Sequence, residues 1–216
     1  MRYVVPFVRP NQRVGLLGGS FDPPHGGHVH LSIEALKRLG LAQLWWLVSP
    51  ANPLKAHRPT ALAERMAAAG GLIRHPKVRI SDIEAQIGTP HTACAIAALQ
   101  ARCPGVRFVW VMGADNLAQF HLWRDWRTIM ARVPVAILAR PGVGIRVRTA
   151  KAGRVHRHAM RPACQGLCLA ARRPPRWCFI NIPMKAISSS AIRARADHAD
   201  HADHERRGGS GGDSPG

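Results

Sequence analysis

The feature that most constrains the fold is the stretch Gly18-Gly19-Ser20-Phe21-Asp22-Pro23-Pro24-His25-Gly26-Gly27-His28. A short apolar run, Val14-Gly15-Leu16-Leu17, leads into it, and apolar residues at helical spacing follow from Val29 to Leu36. The pattern predicts a strand, a glycine turn and a helix start, with imidazoles at positions 25 and 28 on the junction. Glycines let a backbone approach an anion closely, and a helix start offers unpaired N–H groups at a positive dipole end. The histidines add donors at the same place. Such a junction suits a nucleoside triphosphate.

Further along, apolar runs alternate with helical patterns. The strand candidates are Arg13–Leu17, Leu44–Val48, Val78–Ile83, Val106–Met112, Val133–Leu138 and Trp177–Ile182. Between them lie helical candidates at Gly27–Leu39, Ala61–Ile73, His91–Arg102 and Leu122–Arg132. Parallel strands need crossover connections, so this alternation predicts an α/β fold: a Rossmann-like, doubly wound parallel sheet of five to six strands in a single domain. Ligands of such sheets sit beyond the carboxyl ends of the strands, where the strand order reverses. Residues 139–176 are basic and irregular, which predicts a loop-rich surface segment with room for one short helix. Residues 1–195 form the expected domain. In residues 196–216 Ala-Asp-His repeats give way to Gly, Ser and Pro, a composition expected to be disordered, with weak metal binding as the alternative.

The chain has 216 residues and a formal net charge of +19. Arginine greatly outnumbers lysine, so background composition ranks first as the source of the charge, attraction of phosphates next and nucleic-acid binding last. Five cysteines at irregular spacing give no disulfide framework and no metal-ligand pattern, and are expected to be reduced and mostly buried. The proline-broken N-terminus has no signal-like apolar region, and no stretch is long enough to span a membrane. The expected location is cytoplasmic.

The stretch 18–28 closely resembles the GG-[ST]-FDP-x-H-x-GH motif of bacterial nicotinate-mononucleotide adenylyltransferases, within the nucleotidyltransferase superfamily that carries H-x-G-H. Four more segments match in family order: Ser49-Pro50-Ala51-Asn52-Pro53-Leu54-Lys55; Gly113-Ala114-Asp115-Asn116 with Trp123 and Trp126; Arg140-Pro141-Gly142; and Ile187-Ser188-Ser189-Ser190-Ala191-Ile192-Arg193. The resemblance implies adenylyl transfer from ATP to nicotinate mononucleotide, giving deamido-NAD and pyrophosphate. It implies catalytic roles for His25, His28 and Arg193. ATP would be held by Gly18, Gly19, Ser20, Phe21, His25, His28, Gly113, Asp115, Ile187, Ser188, Ser189, Ser190 and Arg193. The mononucleotide would meet Lys55, Thr92, Asp115, Trp123 and Arg140, with Trp123 stacked on the pyridine ring and Trp126 packed in the core. Mg²⁺ would be bound through the ATP phosphates, with no metal site on the protein itself.

Some residues also have plainer uses. A histidine or an aspartate at a helix start can be a cap, the three serines can cap a helix, and a lone lysine or arginine is usually solvated surface. The segment Pro90-His91-Thr92-Ala93-Cys94-Ala95-Ile96 departs from the family's R-Y-T-x-D-T-L: Thr92 is kept, while Cys94 and Ala95 stand where Asp and Thr are usual. The alternatives are the same chemistry on nicotinamide mononucleotide or phosphopantetheine, or a nucleic-acid-binding protein on this scaffold. The oligomeric state stays open.

Overall fold

The computed structural model describes residues 4–50, 59–139 and 150–183. Seven strands form one parallel sheet: β1 Arg13–Gly19, β2 Gln43–Val48, β3 Val78–Ser81, β4 Arg107–Gly113, β5 Val135–Ala139, β6 Met160–Arg161 and β7 Trp177–Asn181. Their spatial order is β3-β2-β1-β4-β5-β7-β6. The α/β parallel class is as expected, but the sheet has seven strands rather than five to six. The extra strand is β6, two residues long and paired with the start of β7. A bridge that short has no alternating pattern to detect, and it lies in the segment expected to be irregular.

Among the described residues the α-helices are α1 Gly26–Arg38, α2 Leu62–Leu72, α3 Ile83–Gln86, α4 Thr92–Arg102, α5 Ala114–Gln119, α6 Trp126–Arg132, α7 Lys151–Val155 and α8 Gly166–Leu169. Beyond β6, the segment expected to be loop-rich with one short helix holds two, α7 and α8, and two more elements differ from the sequence reading. Ile83, expected at the end of a strand, opens α3, and α5 begins directly after β4 with no loop. Both are too short for a helical period to register.

The strands are apolar on both faces because helices cover both. Along β4, Phe108, Trp110 and Met112 join one core cluster, while Val109 and Val111 join the other. β2 divides likewise, with Trp45 and Leu47 on one face and Leu44, Trp46 and Val48 on the other. The first face packs against α4, α5 and α6 through Ile96, Leu99, Leu117, Ile129 and Met130. The second packs against α1, α2 and α8 through Ala35, Leu36, Ala69 and Leu169. No described cysteine is disulfide-bonded; Cys103 and Cys178 are buried, but Cys94, Cys164 and Cys168 are exposed, against the expectation of mostly buried thiols.

The strand order reverses between β1 and β4, which pair in parallel over Arg13–Leu17. The carboxyl ends of these two strands carry the histidine junction and Gly113-Ala114-Asp115. The fold therefore brings both motifs to the carboxyl ends of adjacent strands at the switch in strand order, the position where open α/β sheets bind ligands.

Candidate active site

β1 ends at Gly19, and the chain turns through Ser20–Pro24 before α1 begins. His25 is the N-cap of α1, with extended backbone, and His28 is its third helical residue. Gly27 N–H donates to His25 Nδ1 at 3.0 Å, and His25 N–H donates to His28 Nδ1 at 3.2 Å. The two imidazoles thus form a reciprocal capping box, a role usually filled by a hydroxyl and a carboxamide or carboxylate. The cap reading of these histidines is therefore observed in the fold. An Nδ1 that accepts cannot carry the proton, so each neutral ring keeps it on Nε2. Capping fixes the tautomer needed to donate to an anion.

The rings are held by an aromatic bed. His25 and His28 have centroids 3.9 Å apart, and His28 lies 4.8 Å from Phe21. Phe21 stacks on Trp46 at 4.6 Å with an interplanar angle of 11°. Trp46 Nε1 donates to Ser32 Oγ at 2.8 Å, and that hydroxyl donates to the His28 carbonyl at 2.7 Å. Phe21 has φ of 47°, a left-handed conformation costly for a large side chain, and it is 2% exposed. Its role here is to floor the turn, and stacking on Trp46 holds it there. Gly18 has a packing use: a Cβ there would collide with the Trp110 ring. Gly19 would meet Phe21 at 3.3 Å, whereas Gly113 has only Leu31 nearby, at 3.8 Å.

Three supports have no counterpart in the sequence reading. Trp46 lies in β2, where its place in an apolar run does not distinguish it from Trp45. Arg65, on α2, is 2% exposed and donates to the carbonyls of Thr60, Ser20 and Ser49 at 2.7, 2.5 and 2.8 Å. It ties the glycine turn to the chain leaving β2. Burial lowers the Arg65 pKa, and the Asp22 carboxylate opposes that shift. Asp22 in turn accepts from the Thr60 hydroxyl at 2.9 Å. Glu84, on α3, is 2% exposed and has one carboxyl oxygen without a partner. Burial pushes its pKa up to about 7, and a hydrogen bond with the Ser49 side chain opposes the rise. Ser49 N–H also donates to the Gly19 carbonyl at 3.0 Å, so Glu84 braces the turn from beneath. An arginine and a glutamate in a basic chain carry no sequence signal for burial.

On the other face of the sheet, Trp123 is half-buried and meets Trp110 and Phe120 edge-on at 6.0 and 5.4 Å. Trp126 is buried in the core, as expected. Thr92 is the first residue of α4, and Asp115 lies exposed in the first turn of α5, whose N-cap is Gly113. Asp115 is therefore not the cap of that helix. Of the two family departures, Ala95 is fully buried and belongs to the core, while Cys94 is exposed. Lys55, Arg140, Ile187, Ser188, Ser189, Ser190 and Arg193 lie outside the described residues, as do the 195 boundary and the tail. The last described residue, Pro183, accepts at its carbonyl from His30 Nε2 of α1 at 2.8 Å.

Among the described residues no three His, Cys, Asp or Glu side chains gather as a metal site, and no helix is long and apolar enough to cross a membrane.

The cytidylyltransferase-like family model matches residues 16–195. A Cereibacter sphaeroides protein named "Probable nicotinate-nucleotide adenylyltransferase" is 61% identical over 84% of this chain and 96% of its own. A Ruegeria pomeroyi protein of the same name is 54% identical over 90% of this chain and 91% of its own. The solved structure of Plasmodium falciparum nicotinic acid mononucleotide adenylyltransferase complexed with APC shares the fold, with a TM-score of 0.62 at 17% identity over 85% of this chain and 83% of that one. The match over most of both chains, with the glycine-histidine junction inside it, makes this chain a member of the nicotinate-nucleotide adenylyltransferases within the cytidylyltransferase-like family.

Proposed function

We propose that the protein transfers the adenylyl group of ATP to the phosphate of nicotinate mononucleotide, releasing pyrophosphate and forming deamido-NAD. The observation that carries this reading is the paired histidine cap, which sets the proton of each neutral ring on Nε2 at a helix start beside the switch in strand order.

The chemistry needs positioning and charge stabilisation more than covalent participation. His25 and His28 donate to the triphosphate and to the charge that builds at the transferring phosphorus. Gly19, Ser20 and Gly113 offer close backbone approach, and Asp115 offers an acceptor for a ribose hydroxyl. Gly18 and Phe21 act from behind this surface, by packing. Ser188–Ser190 and Arg193 supply the second side of the phosphate clamp and Ile187 packs beside adenine; the tie from His30 to Pro183, just ahead of that motif in the chain, supports this part. Trp123 takes the pyridine ring, Thr92 lies on the nicotinate side, and Lys55 and Arg140 take the mononucleotide phosphate. Mg²⁺ suits oxygen ligands from the triphosphate itself and would neutralise charge there. A cytoplasmic location belongs to the same reading.

The test is pyrophosphate release from ATP with nicotinate mononucleotide, nicotinamide mononucleotide and phosphopantetheine as acceptors. Turnover with the first, falling about 100-fold or more in His28→Ala, is expected from the loss of a positioned donor. Turnover with phosphopantetheine alone, or a fully active His28→Ala, would refute the reading.

A further inference from the structure

Helices that link parallel strands run back across the sheet, so each ends where the next strand begins. The two ends of this sheet differ in charge. Among the described carboxylates, Asp22, Asp82, Glu84 and Asp115 follow strands, and Glu64 and Asp125 lie at helix starts, all at the carboxyl end. The remaining one, Glu34 of α1, is buried and paired with Arg38 at 3.1 Å. The amino end is lined with cations. Lys37 and Arg38 close α1, Arg102 closes α4 and Arg132 closes α6. Arg74 and Lys77 stand before β3, Arg107 opens β4, and Arg172 and Arg173 stand before β7. All are exposed, and apart from Arg38 none pairs with a described carboxylate.

Hydrogen bonds hold these segments side by side. Leu44 N–H donates to the Lys77 carbonyl at 2.8 Å, Arg107 N–H to that of Gln12 at 2.9 Å, and Gln100 Nε2 to that of Arg132 at 3.1 Å. The cations therefore form a band across the strand ends from β3 to β7, about 24 Å long at the usual strand spacing. Phe7 is 79% exposed beside this band, its carbonyl accepting at 2.9 Å from Nε2 of Gln43, the first residue of β2. Plainer causes cover only part of this. A helix C-terminus favours Lys37, Arg38, Arg102 and Arg132, but Arg74, Lys77, Arg107, Arg172 and Arg173 lie in no helix. Attraction of substrate phosphates calls for cations at the carboxyl end, where the candidate site is. An arginine-rich background adds cations everywhere and does not clear one end of carboxylates.

We propose that this band binds single-stranded nucleic acid as a second function, independent of the proposed reaction. Composition alone ranks such a partner last; the placement of the charge reverses that order. The guanidinium fork meets two phosphate oxygens at once, and an exposed phenyl ring gives any base a face to stack on. Phe7, at the end of β2, stands between the cations of β3 and those of β4. That alternation of cation and ring matches the phosphate and base of a strand, which a lipid surface lacks.

The experiment is fluorescence anisotropy of labelled oligouridine and oligothymidine with the full-length protein at rising salt, beside sedimentation with phosphatidylserine vesicles. Binding is expected to weaken with a log–log salt slope of about −3, the value for about four neutralised phosphates. Arg107→Gln and Arg172→Gln each weaken binding and flatten the slope by about 0.7. Phe7→Ala weakens binding about 10-fold at an unchanged slope, since stacking releases no counterions. Arg124→Gln, which removes a 70% exposed cation at the carboxyl end, changes neither, and saturating ATP does not displace the oligomer. Melting temperatures at the wild-type value show that the variants fold. Tighter binding of one oligomer tells RNA from DNA, and either supports the proposal. Retention of neither oligomer at low salt, displacement by ATP, an equal loss in Arg124→Gln, or binding of vesicles alone overturns it.

Discussion

Replacing Glu84 by glutamine tests how the glycine turn is braced. Glu84 is 2% exposed, bonds to the Ser49 side chain and keeps one carboxyl oxygen unpartnered. Its pKa rises from an ordinary 4.5 to about 7 because burial penalises the charged form. The folded state therefore holds this proton more tightly than the unfolded chain does. Below pH 4.5 the group is neutral in both states, and its contribution to stability is complete. As pH rises from 4.5 to about 7 the unfolded chain releases the proton first, and the contribution is lost; above about 7 the loss is constant. At about 1.4 kcal/mol per pH unit, the whole loss is about 3 kcal/mol. Glu84→Gln has the shape of the protonated acid and does not titrate. The assay is urea unfolding of both proteins from pH 4 to pH 8. The stability of the variant relative to wild type is expected to rise by about 3 kcal/mol between these limits, most of it before pH 7. A difference that stays flat across this range would refute the claim that Glu84 is held neutral by burial.

Three further outcomes follow from the geometry. Gly18→Ala drives a methyl group into the Trp110 ring and should destabilise by about 1–3 kcal/mol in thermal unfolding, whether or not ATP is present. Arg65→Lys cannot reproduce the fork to three carbonyls, so it should lower the melting temperature and raise KM for ATP; unchanged values for both would contradict its role as a tie. If Trp123 takes the pyridine ring as proposed, Trp123→Ala should raise KM for the mononucleotide about 10-fold while sparing KM for ATP.

The major elements were legible because apolar runs and helical periods have enough residues to average over. β1, β2, β4, β5 and β7 all fall where the pattern put them. What the pattern did not place is short: α3, α5, α7 and α8, and the two-residue β6 that made the sheet seven strands wide. The place of His25 and His28 at a strand–helix junction was readable because glycines and a helical period flank them in the chain. Arg65, Glu84 and Trp46 were not, since each is defined by what surrounds it. The same limit holds for Gly18, whose missing side chain serves a tryptophan nearly a hundred residues away in sequence.

The sequence by itself determined the alternation of strand and helix, the parallel sheet it entails, and the ordered motifs that mark adenylyl transfer, because these depend on residues close together in the chain. Only the tertiary structure decided that the paired histidines cap their own helix and so fix their own tautomers. It alone gathered cations at the amino ends of the strands and buried Glu84 beneath Ser49. Those outcomes depend on distances between segments far apart in sequence, where hydrogen-bond direction and desolvation are set by neighbours that no local pattern encodes.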